Sequence, residues 1–123
     1  MYFDELSKKV IGCAIEVHRH LGPGLLETTY EHCLAHDLTI NNIEFKLQHP
    51  LPVFYKDTYL DCGYRIDLLV EKKLVIELKS VSELNPIHEA QILTYMKLSL
   101  IKTGLLINFN SMKLKDGIRR FVL

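Results

Sequence analysis

Three residues in the middle of the chain, Asp67, Glu77 and Lys79, have types and spacing that could do hydrolytic chemistry. They sit in two apolar runs, Gly63-Tyr64-Arg65-Ile66-Asp67-Leu68-Leu69-Val70 and Leu74-Val75-Ile76-Glu77-Leu78-Lys79, separated by Glu71-Lys72-Lys73. If Val70 pairs with Leu74 across that three-residue loop, the register sets Asp67 opposite Glu77 on one face. Side chains alternate along a strand, so Lys79 shares the face of Glu77. Two facing carboxylates repel unless a cation lies between them or one takes up a proton. A hard divalent ion such as magnesium takes oxygen ligands, and the two carboxylates with the backbone carbonyl of Leu78 would supply half a shell. The alternative is that these residues are merely the wet face of an exposed hairpin, where a Glu77 and Lys79 pair contributes little.

Two other constellations bear on that choice. At about 100° per residue, Glu27 falls in the same helical stripe as Tyr30, Leu34 and Leu38, which points a carboxylate toward the packed side. A buried acid needs a partner, whereas a glutamate that merely favours the helix dipole in a first turn would be exposed. Gln91 and Tyr95 lie one helical turn apart, so an amide and a phenol project together and could order a water or contact a phosphate or base.

The elements that must carry these groups follow from periodicity and punctuation. Leu6, Val10, Cys13, Ala14, Val17 and Leu21 recur at helical spacing and predict a helix over 4–21, stopped by Gly22-Pro23-Gly24. A second amphipathic helix starts near Leu25 and ends at Asn41-Asn42. Strand-like runs follow at 43–48, 51–55, 59–69 and 74–81, which would form an antiparallel meander, with Pro50 and Pro52 marking an edge. Asn85-Pro86 then opens a helix over 87–102, closed by Gly104. Short strands over 105–109 and 118–123 finish the chain. The expected order is ααβββαββ, an α+β arrangement.

At 123 residues the chain suits a single domain over 1–123, because domains typically run to ~100 to 150 residues. Its 48% hydrophobic and 24% charged content is that of a globular protein rather than a disordered one. No run approaches a membrane span and residues 1–9 do not resemble a secretory signal, so a cytoplasmic protein is expected. Cys13, Cys33 and Cys62 are widely spaced, which suggests neither a disulfide framework nor a zinc ribbon. Fifteen basic and fifteen acidic residues cancel, so the chain lacks the basic field of a duplex-coating protein, although local basic patches could still hold phosphates. Lys113, Lys115, Arg119 and Arg120 form one such stretch, equally readable as protection of an edge strand. His32 and His36 have metal-chelating spacing but read better as a solvated helix face, and His88 could border the Gln91 site. A chain this small and this apolar is compatible with a homodimer.

Taken together, Asp67 followed by Glu77-Leu78-Lys79 in a hairpin between helices resembles the PD-(D/E)XK nuclease superfamily. Glu27 on a preceding helix, Gly63 four residues before Asp67, and Gln91-x-x-x-Tyr95 resemble its exonuclease-type, RecB-like branch. Gly24-x-x-Glu27-x-x-Tyr30 is similar to the motif of the small GxxExxY proteins. The resemblance runs from the first helix to about Phe109, with Ile66 standing where the superfamily's title has proline. It implies a restriction-endonuclease-like core, a mixed central sheet flanked by helices. It further implies one or two magnesium or manganese ions held by Glu27, Asp67, Glu77 and the Leu78 carbonyl, with Lys79, Glu77 and Asp67 catalytic. Gln91, Tyr95 and Tyr30 would bind or support the substrate, a nucleic acid, with DNA preferred over RNA. The rival expectations are a catalytically silent nucleotide- or nucleic-acid-binding module of the same fold, and a structural or partner-binding domain.

Overall fold

A computed structural model describes residues 4–123, so the part of the N-terminal reading that falls on 1–3 lies outside the described residues. Helix α1 (Glu5–Leu21) starts where the Asp4 carboxylate accepts from the Ser7 N–H at 2.8 Å. It stops at Gly22, whose φ of 68° is easy only for glycine. Helix α2 (Glu27–Ile40) follows after a five-residue connection that Tyr30 fastens, its hydroxyl donating to the Gly22 carbonyl and accepting from the Leu25 N–H.

Seven strands follow: β1 (Phe45–Pro50), β2 (Val53–Tyr55), β3 (Thr58–Leu60), β4 (Arg65–Val70), β5 (Leu74–Lys79), β6 (Thr103–Asn108) and β7 (Ile118–Val122), with helix α3 (Pro86–Ser99) between β5 and β6 and a 3-10 turn at Leu114–Gly117. The main sheet has the order β1-β4-β5-β6-β7, with β5 and β6 parallel and every other pair antiparallel. The protein is therefore α+β, with a mixed sheet flanked by helices on both sides.

The helices and main-sheet strands follow the expected order ααβββαββ, but two further strands intervene and the continuous meander does not form. Strand β1 pairs with β4, leaving β2 and β3 as a separate two-stranded ribbon. Pro50 and Pro52 cannot donate to a ladder, so the chain leaves the sheet between them. The long strand expected over 59–69 breaks into β3 and β4 because Asp61 accepts from the Gly63 N–H at 2.9 Å, a tight turn in which Gly63 takes φ 80°. Helix α3 ends at Ser99 rather than at 102, capped by Leu100 in the left-handed region. Gly104 is no cap: it is buried in β6, where a Cβ would stand 2.6 Å from the Met96 sulfur. A side chain there would push α3 off the sheet.

Strand alternation divides the core. Leu68, Val70, Leu74, Ile76, Leu78, Leu105 and Ile107 pack under α1 and α2, while Leu69, Val75 and Leu106 meet Ile92, Tyr95 and Met96 of α3. Strand β7 is the edge foreseen, but Arg120 is committed to Asp4 at 3.0 Å and so ties the last strand to the cap of the first helix. No helix among the described residues is long and apolar enough to cross a membrane.

Candidate active site

The hairpin register runs from Val70↔Leu74 to Leu68↔Ile76, where the ladder stops. One step further the two acids take over as partners for the backbone. Asp67 Oδ2 accepts from the Leu78 N–H at 2.9 Å, and Glu77 Oε1 accepts from the Asp67 N–H at 3.2 Å. The carbonyl of Lys79 accepts from Phe109 N–H at the end of β6. Successive peptide groups of a strand point to opposite sides, so the Leu78 carbonyl faces the other way, with its N–H, toward Asp67.

This arrangement is electrostatically tense. Glu77 is 3% exposed. Burial, and then the charge and side-chain hydrogen bond of Asp67, push its carboxyl up to about 9 against the opposing Asp67 N–H and Lys79 charge. Glu77 is thus protonated near neutral pH unless a cation takes the proton's place. The donors are all oxygen, from two carboxylates and a carbonyl, and that set fits a hard divalent ion better than a soft one. It is not a finished cage: among the described residues no three His, Cys, Asp or Glu side chains converge on a metal position.

Glu27 differs from its expectation. It points around α2 in the direction of Leu34 and Leu38, but as the first helical residue it lies ahead of the packed turns and is exposed. It lines a shallow groove of about 320 Å³ with Leu25, Leu26, Thr28 and Ser80, next to the end of β5. The buried acid of this helix is Glu31, 8% exposed and one turn further on. Burial raises its pKa, with the charges of Asp67 and Glu27 adding and a bond from Gln48 opposing. Gln48 Nε2 donates both to Glu31 Oε1 at 2.5 Å and to Asp67 Oδ1 at 3.2 Å, and does so from a backbone with φ 48°. A side-chain-bearing residue held in the left-handed region is strained, and such strain collects at functional sites.

Lys79 lies half-buried at the edge of the acid pair. Its Nζ donates to Gln91 Oε1 at 3.0 Å, and Gln91 Nε2 donates to the Tyr95 hydroxyl at 3.1 Å. The structure thus brings Asp67, Glu77, Lys79, Gln91 and Tyr95 together. Burial pushes the Tyr95 phenol up, so it stays neutral. Tyr30 stands apart: fully buried and stacked 4.5 Å from Phe109, it braces the loop that delivers Glu27 and offers no face to a substrate. His88 closes the capping box at the start of α3 and is not at the site. His32 and His36 line a separate cavity of about 480 Å³ against α1.

Glu31, Gln48 and Asn108 were not singled out from the sequence. Glu31 carried a signal, since it precedes Leu34, Ala35 and Leu38 at the spacings of the apolar stripe. Asn108 carried one too, as a polar residue in the apolar run 105–109. It bonds the Val81 N–H and carbonyl, while Ser80 Oγ donates to the Leu25 carbonyl at 2.6 Å, and together they fix the chain just beyond Lys79. Gln48 carried none, because its role depends on an unusual backbone angle.

The fold is a mixed sheet flanked by helices, with an acid pair and a lysine where β4 and β5 part. A sequence model of the PD-(D/E)XK nuclease superfamily matches residues 4–121. The chain belongs to that superfamily, whose core is restriction-endonuclease-like and whose nucleases typically use divalent metals. No curated protein and no solved structure matches it.

Proposed function

We propose that this protein is a magnesium- or manganese-dependent nuclease that hydrolyses phosphodiester bonds, DNA in preference to RNA. We place it among the small GxxExxY proteins, on the exonuclease-type side of the superfamily. The observation that carries the reading is the Asp67 and Glu77 pair, one acid deprived of its charge by burial and by the other, with the Lys79 ammonium beside it. Groups in that state are poised to exchange a proton for a metal ion.

Asp67, Glu77 and the Leu78 carbonyl would hold the ion, with Glu27 at the rim of the groove. When bound, the ion polarises a phosphoryl oxygen and lowers the pKa of a water. Lys79, as an ammonium, would orient an attacking water as a hydrogen-bond donor and would offset charge that gathers on the phosphate. Gln91 and Tyr95 hold Lys79 in direction, and Gln48 with Glu31 holds Asp67. Tyr30 supports the Gly24 to Glu27 turn. This division of labour also accounts for the GxxExxY spacing: a glycine to turn, an acid to present, a tyrosine to brace.

The test is cleavage of single- and double-stranded DNA and RNA by the purified protein with magnesium and with manganese. Asp67→Asn, Glu77→Gln and Lys79→Ala should each lose about 100-fold or more of the activity. Cleavage that persists in all three would place the chemistry elsewhere. A catalytically silent binding module is the second reading, favoured by one feature: both carboxylates already accept backbone N–H groups and need no ion to be satisfied. Metal binding without turnover would select it.

A further inference from the structure

Aromatic rings left facing water in a folded chain mark surfaces that are covered in use. Among the described residues the exposed aromatic side chains are Phe54, Tyr55, Tyr59 and Tyr64, at 54%, 58%, 72% and 45% accessibility, and all fall between positions 54 and 64. The core does not require them there. Strands β2 and β3 are three residues each and, apart from a half-buried Val53, wholly exposed. Their register sets Phe54 opposite Tyr59, with ring centroids 4.8 Å apart and planes tilted by 41°, so the two rings pack against each other on one face of the ribbon.

The ribbon is physically continuous with the acid pair. It leaves the sheet between Leu51 and Tyr64, whose backbone groups bond at 3.0 Å and close its base. The Tyr64 ring lies 6.0 Å from that of Tyr95. Tyr95 accepts from Gln91, and Gln91 accepts from Lys79. An unbroken line of side chains therefore joins the Lys79 ammonium to the first exposed ring. At the tip, Lys56 Nζ stands 5.4 Å from the centre of the Tyr55 ring, a cation set among aromatic faces.

We propose that the β2 and β3 ribbon, with Tyr64 at its foot, is a stacking platform for unpaired nucleobases of the strand whose phosphodiester occupies the Asp67, Glu77 and Lys79 site. The substrate class is then single-stranded or frayed nucleic acid rather than an intact duplex. This rests on the nuclease reading above. Inside a duplex a paired base shows only its edges, whereas successive rings along a ribbon can be met only by bases that have left their partners. Such stacking tolerates any sequence, three of the four rings carry hydroxyls that keep contact with water, and Lys56 can sit against a phosphate.

The test uses the whole chain in chelator, so that nothing is cut, titrated with a fluorescein-labelled single-stranded oligonucleotide and with a blunt duplex of the same sequence. The unaltered protein should bind the single strand more tightly. Tyr59→Ala and Tyr64→Ala should each weaken single-strand binding by about 5-fold or more and leave duplex binding nearly unchanged. The chain has no tryptophan and six tyrosines, so quenching of tyrosine emission by the single strand is a second readout, smaller in both variants. Circular dichroism checks that the variants are folded. Tyr59→Leu, on the most exposed ring, guards against a folding artefact. Equal losses on both ligands, or none, would overturn the platform. So would a dimer that these variants dissociate in sedimentation with single-strand affinity intact. Cleavage that proceeds equally well on blunt duplex counts against the platform alone, and selective strand binding without any metal-dependent cleavage counts against hydrolysis alone.

Discussion

At the scale of single residues, the site is an arrangement of oxygen atoms that do not want to be close. Asp67 keeps its place because Leu78 N–H and Gln48 Nε2 both donate to it, and Gln48 reaches it only from a strained backbone. Replacing Gln48 by glycine removes the amide while relieving the strain. Gln48→Gly should therefore leave the melting temperature almost unchanged yet weaken manganese affinity by about 10- to 100-fold, as loss of a partner that orients a ligand does. Calorimetric titration with manganese checks it, and a large drop in stability with unchanged affinity would show that Gln48 only packs. The legibility of these residues varied for physical reasons. Asp67, Glu77 and Lys79 could be paired from spacing because a short loop fixes register. Glu27 was expected on the packed side of α2 and is exposed, since periodicity gives an angle around the helix and says nothing of how far the packed sheet extends beneath it.

At the scale of elements, caps and turns decide where the carriers of these groups begin and end. The first helix was legible because both its ends are chemical: Asp4 accepts at one and Gly22 turns at the other. The end of α3 was not, because Leu100 does the work usually left to glycine. The pairing of β1 with β4 was also hidden, since partners distant in sequence leave no local trace. Asp4 supplies a prediction. Its bond from Ser7 N–H, with help from Arg120, holds its carboxyl below its ordinary value of 3.8. A depressed folded pKa gives stability that is complete above the unfolded pKa and lost as pH falls through the folded one. Asp4→Ala should therefore cost about 1 kcal/mol at pH 7. The gap between variant and parent should narrow below about pH 3.8, in urea melts at several pH values. A gap that stays constant down to acid would mean that the carboxylate charge is irrelevant.

At the scale of the whole molecule, the proposed metal binding would be coupled to folding. The native state gathers carboxylates that the unfolded chain keeps apart, so an ion that binds only the folded form stabilises it. Manganese at about 100 times its Kd should add ~2.7 kcal/mol and raise the melting temperature by several degrees. Asp67→Asn should abolish that rise while Tyr59→Ala keeps it. A rise that survives Asp67→Asn would put the ion elsewhere. The mixed sheet and its flanking helices were legible as a class, because alternation and helical periodicity survive in the sequence. The separate ribbon was not, for its strands have the same texture as those of the sheet.

The hairpin that carries Asp67 and Glu77 is also the most local pairing in its sheet. Its two acids are ten residues apart, whereas β5 meets β6 only after an entire helix has been laid down between them. Short loops close quickly and long ones slowly. The acid pair should therefore be assembled early during refolding, while still open to water, and enclosed last, when α3 settles on the sheet. Pulsed amide labelling would show Leu68 and Ile76, whose N–H groups face each other across the hairpin, protected before Leu105, and the reverse sequence would refute it. The chain thus meets its own electrostatic conflict at the start of folding, when solvent can still soften it.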